Sequence, residues 1–217
     1  MRLDGERWRT FFDAFQHTAF RLETYPSYDV TSEREEYEGF LSSGTLSIPD
    51  DDPWLTRVRH FRATGRWVGR VHVLRRPLTD YLRYEFAVYR HTAAAGEDIR
   101  ILDLTSQPDP GLPSQDFWLF DETSVGRMDY DDQGVQLGRE LLEGIDPAPY
   151  AEWQRLALTH APHLRACPVT NWLRNGSKSS SIIVDNNDSF DTSLRPFGRI
   201  SSPIGQVSPS TSLGQRD

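Results

Sequence analysis

The sequence predicts an α+β protein, with N-terminal helices packed on a mainly antiparallel β-sheet, a C-terminal helix and a serine-rich tail. Three observations carry that expectation. Trp8, Phe11, Phe12 and Phe15 recur at helical spacing near the start of the chain. Trp67 to Leu74 alternates cleanly, with Val71 and Val73 on one face and Arg70, His72 and Leu74 on the other. Short strand-like runs then dominate from 99 to 142, separated by turn-forming residues.

Taken in order, residues 6–17 read as a helix and 19–23 as a short strand, which Pro26 closes off. Ser32-Glu33-Arg34-Glu35 has capping-box spacing and predicts a helix running to Gly44, with Tyr37, Phe40 and Leu41 on its buried side. Asp52-Pro53 suits an N-cap followed by a proline in the first turn. Trp54, Val58 and Phe61 form the apolar stripe of that helix, and Gly65 ends it. After the 67–74 strand, Leu78, Leu82, Phe86 and Tyr89 have helical spacing up to Gly96, although the Tyr, Phe and Val content also suits a strand. Strands follow at 99–104 and 116–121. Asp131-Asp132-Gln133-Gly134 joins two more as a β-hairpin. Asp146-Pro147 opens a last helix with Tyr150, Trp153, Leu156 and Ala157 on its apolar face.

One domain over residues 1–165 accounts for these elements. From 166 to 217 the composition shifts, with eleven serines between Cys167 and Asp217 and no periodicity, so a disordered or loosely attached tail is expected.

Charge and composition narrow the function classes. A net charge of −8 disfavours direct nucleic-acid binding, which relies on Lys and Arg to neutralise phosphates. A single cysteine allows no intrachain disulfide. No apolar run approaches the ~20 residues that span a bilayer, and residues 1–12 lack a signal-peptide core. A cytoplasmic protein without a membrane partner is expected.

Motifs for chemistry are few. Gly-x-Ser-x-Gly, Walker, Gly-x-Gly-x-x-Gly and His-Glu-x-x-His patterns are all missing. Asp129 to Gly134, with Glu140 beyond, follows part of a calcium-loop pattern, but its flanks read as strands, so an acidic hairpin turn explains it better. His160 and His163 lie one helical turn apart with Pro162 between them and no accompanying ligand set. Neither a metal nor a cofactor is expected. The polar residues that the fold does not require are Arg70, His72, Arg75, Asp80, Arg83, Glu85, Glu97 and Asp116. If they converge at one sheet edge, a histidine, arginines and carboxylates could bind an anion or perform acid–base work on a phosphoester. If they do not, Asp80–Arg83 is a surface ion pair, and Arg70 and His72 lie on a solvated sheet face.

Five ordered blocks carry a family resemblance: Phe20 to Thr24, Arg70 to Leu74, Pro77 to Glu85, Gly96 to Asp103 and Asp116 to Leu119. Over residues 1–165 the chain resembles an actinobacterial family of unknown function, numbered 6879. That resemblance implies no activity and no catalytic residues. It implies a context: genes encoded beside helix-turn-helix regulators and small partner proteins. Two functions follow as expectations. One is a non-catalytic regulatory or interaction module partnered by such a regulator or small neighbour-encoded protein. The other is an enzyme or binding protein for a phosphate-containing or nucleotide-like ligand, using Arg70, His72, Arg83 and Glu85.

Overall fold

A computed structural model describes residues 1–164, so the expected serine-rich tail, including Cys167, lies outside the described residues. The elements in chain order are α1 (Glu6–Asp13), β1 (Thr18–Glu23), a 3-10 turn (Thr31–Glu33), α2 (Arg34–Ser43), α3 (Pro53–Ala63), β2 (Trp67–Leu74), α4 (Asp80–Ala95), β3 (Asp98–Asp103), β4 (Phe117–Phe120), β5 (Ser124–Tyr130), β6 (Gln136–Leu141) and α5 (Ala148–His160).

The six strands form one mixed sheet in the order β3-β2-β1-β4-β5-β6. β1 and β2, and β2 and β3, pair in parallel, because helical crossovers return the chain to the same end of the sheet. The remaining pairs are antiparallel, so the sheet is mostly antiparallel, as expected. Strand alternation divides the core in two. Ala19, Val68, Ile99, Ile101, Trp118 and Phe120 face α1, α3 and α4. Phe20, Leu22, Val71, Leu102, Phe117 and Leu119 face α5. Burying both faces makes this a three-layer fold.

Local chemistry accounts for most boundaries. Thr79 caps α4, its hydroxyl accepting the Leu82 N–H at 3.1 Å. Gly96 ends that helix in the left-handed region, at φ 115°. Asp52 caps α3 by accepting the Trp54 N–H at 2.8 Å, with Pro53 next to it as expected. Asp131 accepts the N–H groups of Gln133 and Val135, which folds the calcium-like letters into a hairpin turn. Gly134 has φ 82°, and a β-carbon there would meet the Ser27 carbonyl oxygen at 2.3 Å.

Three expectations need correction. The first helix stops at Asp13 rather than 17, because the Asp121 carboxylate takes the N–H groups of Gln16, His17 and Thr18 and draws them into the start of β1. The capping box at Ser32–Glu35 does not form: Thr31–Glu33 is a 3-10 turn, and Glu33 makes no side-chain cap on α2. Instead the Glu33 carboxylate turns inward to Tyr81. The α2 helix buries none of its residues; Tyr37 and Phe40 are only partly covered, and Leu41 is exposed.

Both sheet edges are covered by the chain itself. Residues 1–3 pair along β6, with the Leu3 N–H donating to the Arg139 carbonyl and Leu141 to Met1, each at 2.8 Å. On β3, Ile101 donates to Pro162 at 3.2 Å, and His163 bridges to Arg100. Pairing at both ends limits edge-to-edge association.

Candidate functional site

The polar residues of interest come from the face of β1 and β2 that looks toward α4. Arg21 and Arg70 are register partners on adjacent parallel strands, and Glu23 is the partner of His72. Side chains at i and i+2 share a strand face, so the arginines, Glu23 and His72 all point the same way. On α4, Tyr81, Glu85 and Tyr89 recur every four residues and meet them from above. All are buried.

Glu23 is the centre. Its carboxylate accepts from Arg21 Nε at 3.2 Å, from Arg70 Nη1 at 3.2 Å and from the Tyr89 hydroxyl at 2.9 Å. Burial opposes its charge, but Arg70 and Arg21 outweigh burial and bring its pKa down to about 2. Arg70 also donates from Nε to Glu97 at 2.7 Å, and Glu97 accepts the Trp54 indole N–H at 3.1 Å. Asp116, just before β4, accepts from Thr24 N and Oγ1 at 2.8 Å, from the Tyr28 hydroxyl at 2.7 Å and from Arg21 Nη2 at 3.2 Å. Burial raises the pKa of both Glu97 and Asp116, against the pull of their arginines.

His72 has no exposed surface. Its Nε2 lies 3.1 Å from the Tyr25 carbonyl, so this nitrogen carries a proton, and Nδ1 lies 2.7 Å from the Tyr89 hydroxyl. Burial lowers its pKa although Glu23 is near, so the ring is neutral at physiological pH. The Tyr89 hydroxyl therefore stands between Nδ1 and the Glu23 carboxylate, with Glu85 also in hydrogen-bond contact with it.

Glu85 lies on α4 between Tyr81 and Tyr89. Its Oε1 accepts from the Tyr81 hydroxyl at 3.3 Å, and that hydroxyl is also 3.2 Å from Glu33 Oε2. Burial, with Glu33 and Glu23 near, raises the Glu85 pKa to about 8. Glu85 is a neutral acid at neutral pH.

The structure thus brings together Arg70, His72, Glu85, Glu97 and Asp116. The other three candidates lie elsewhere. Asp80 and Arg83 form an ion pair at 2.6 Å on the outer side of α4, and the aspartate is mostly exposed. Arg75 leaves the end of β2 and donates to the Leu104 carbonyl at 2.7 Å. The expected solvated face for Arg70 and His72 is corrected: α4 covers it, and carboxylates supply the compensation that water would give. Sequence reasoning missed Arg21, Glu23, Glu33, Tyr28 and Tyr89. The signal was Arg21-Leu22-Glu23, two charges on one face of an otherwise apolar strand, but the partner strand and register were not readable.

What the arrangement can do chemically follows from its charges. The two guanidiniums of this network already face carboxylates: Arg21 meets Glu23 and Asp116, and Arg70 meets Glu23 and Glu97. An incoming phosphate would have to displace those partners and face the negative charge left behind. Among the described residues, no group of three or more His, Cys, Asp or Glu side chains is placed to hold a metal ion, and no helix is long and apolar enough to cross a membrane.

The model for a family described as "Domain of unknown function (DUF6879)" matches residues 6–166. The chain belongs to this family. The DUF6879 match takes in every element from α1 to α5, and with them the whole buried network. No curated protein and no solved structure shows significant similarity to the chain.

Proposed function

We propose that this DUF6879 domain is a cytoplasmic, non-catalytic interaction module that works with a helix-turn-helix regulator or a small protein encoded beside it. The observation that carries the reading is the internal neutralisation of Arg21 and Arg70. The cations best placed to grip an anionic substrate are engaged within the fold. Of the other candidate arginines, Arg83 is paired with Asp80 away from the network, and Arg75 donates to the Leu104 carbonyl. What is left for recognition is the outer surface, on which apolar side chains such as Leu41, Val135, Leu137 and Ile145 stand exposed. The partner's identity comes from the family resemblance alone.

The test is co-expression with the neighbouring regulator, followed by light scattering on the eluted peak and calorimetric titration. A stable complex of defined stoichiometry is expected. Titration of the isolated domain with inorganic phosphate and with ATP is expected to release no heat. No complex together with saturable phosphate or nucleotide binding would overturn the proposal.

A further inference from the structure

We infer that the Thr31–Glu33 turn and α2 form a proton-latched flap, closed onto α4 by a proton that Glu33, Tyr81 and Glu85 share. The geometry is a matter of counting hydrogens. The Tyr81 hydroxyl lies 3.2 Å from Glu33 Oε2 and 3.3 Å from Glu85 Oε1. A phenol has one hydrogen to give, so both contacts are hydrogen bonds only when one carboxyl is protonated and donates back to the phenol oxygen. With that proton present, turn and helix α4 are joined through a continuous chain. With it gone, two buried carboxylates flank a single donor and repel.

Outside this hydrogen-bond chain, the flap is held by partly covered side chains and by an exposed ion pair from Arg34 to Asp29 at 3.0 Å. No residue of α2 is buried. Its aromatic contacts are edge or tilted ones, from Tyr37 to Tyr81 and Tyr84 and from Phe40 to Tyr84. The Tyr84 hydroxyl also joins it to α4, donating to Glu36 at 2.6 Å. Burial pushes the Tyr84 pKa far up, so that bond does not titrate near neutrality.

The charges around Glu85 favour its neutral form. Glu33 faces it from the turn, Glu23 from β1 and Arg70 from β2, while Tyr81 and Tyr89 flank it on α4. Arg70 attracts its charged form, but Glu23 and Glu97 already engage that guanidinium. Tyr28, from the segment after β1, packs its ring on Tyr81 at 5.9 Å and hydrogen-bonds Asp116, adding a neutral neighbour in front of another carboxylate. His72, on β2, is neutral and meets this group through Tyr89 and through the Tyr28 ring. The flap is therefore closed at neutral pH and loosens above the range in which Glu85 titrates. Opening uncovers Tyr81 and admits water toward Glu85 and Glu23.

Amide hydrogen exchange on the full chain at pH 6 and pH 9, expressed as protection factors corrected for intrinsic rates, tests this. In the wild type, α2 amides are expected to lose about tenfold or more in protection relative to α3, the change that one pKa unit of linkage produces. Glu85→Gln, which is neutral at every pH, is expected to keep α2 protected at pH 9. Tyr81→Phe, which removes the shared hydroxyl and leaves the ring, is expected to lower α2 protection already at pH 6. Parallel behaviour of α2 and α3 in the wild type would overturn the inference. So would an unchanged pH response in Glu85→Gln, or α2 protection in Tyr81→Phe equal to wild type at pH 6.

Discussion

Asp116 and Glu85 lie in one buried network, and their hydrogen bonds set them apart. Asp116 receives four hydrogen bonds, every one from a donor. An asparagine there would turn an N–H group toward donors, leaving a buried arginine short of its counter-charge. Asp116→Asn is expected to cost about 3 kcal/mol or more in urea unfolding. Glu85 already carries its proton at neutral pH, so Glu85→Gln is expected to change stability by less than about 1 kcal/mol at pH 7. The same pair of residues sets the pH dependence. Glu85 has a folded pKa raised to about 8, so the folded state holds a proton that the unfolded chain has lost above its ordinary carboxyl range. Its contribution is fully present below about pH 4.5 and is lost as pH rises through 8, at up to ~1.4 kcal/mol per pH unit. Glu23 has the opposite sign. With its pKa lowered to about 2, its contribution is present above the unfolded value and is lost as pH falls toward 2. Unfolding free energies across pH 5–8 should fall for the wild type and stay flatter for Glu85→Gln. Parallel curves for the two proteins would contradict this assignment.

At the scale of elements, the join between α1 and β1 depends on one side chain from the other half of the sheet. Asp121 accepts three successive N–H groups, from Gln16 at 2.8 Å, His17 at 2.7 Å and Thr18 at 2.9 Å. It does so from the left-handed region, at φ 51°, with Glu122 at φ 56° beside it. Backbone strain of this kind persists where surrounding bonds over-determine it. Although partial burial works against it, these N–H groups lower the Asp121 pKa, so the tether weakens as pH falls through its titration. Asp121→Ala removes the acceptor of all three bonds without relieving φ, and is expected to cost about 2–3 kcal/mol. Asp121→Asn, which keeps an oxygen and tolerates this φ, should cost less. Thermal unfolding of the two variants checks the order; equal losses would place the cost in the turn rather than in the bonds.

Across the whole molecule, the elements built on side-chain periodicity were legible before the structure. The alternation from Trp67 to Leu74 assigned both faces of β2 correctly, and the stripe of Leu82, Phe86 and Tyr89 marked α4 against its local strand preference. The parallel placement of β1 beside β2 was not legible, because register depends on crossovers that no local pattern encodes. That gap hid the network. Arg21 and Arg70 are 49 positions apart, and only pairing of their strands makes Glu23 a partner of both. The same gap made Asp80 and Arg83 look like members of a site: their spacing of three is local and visible, while their distance from the sheet is not.

The central claim is that the conspicuous polar residues of this chain form an internal charge network rather than an anion-binding surface. A double-mutant cycle on Arg70 and Glu23, read by urea unfolding at pH 7, addresses it most directly. Arg70→Met and Glu23→Gln should each be destabilising, and the double variant should recover a coupling energy of about 1–3 kcal/mol. Additive effects within about 0.5 kcal/mol would contradict the claim, since residues that act independently cannot be neutralising one another.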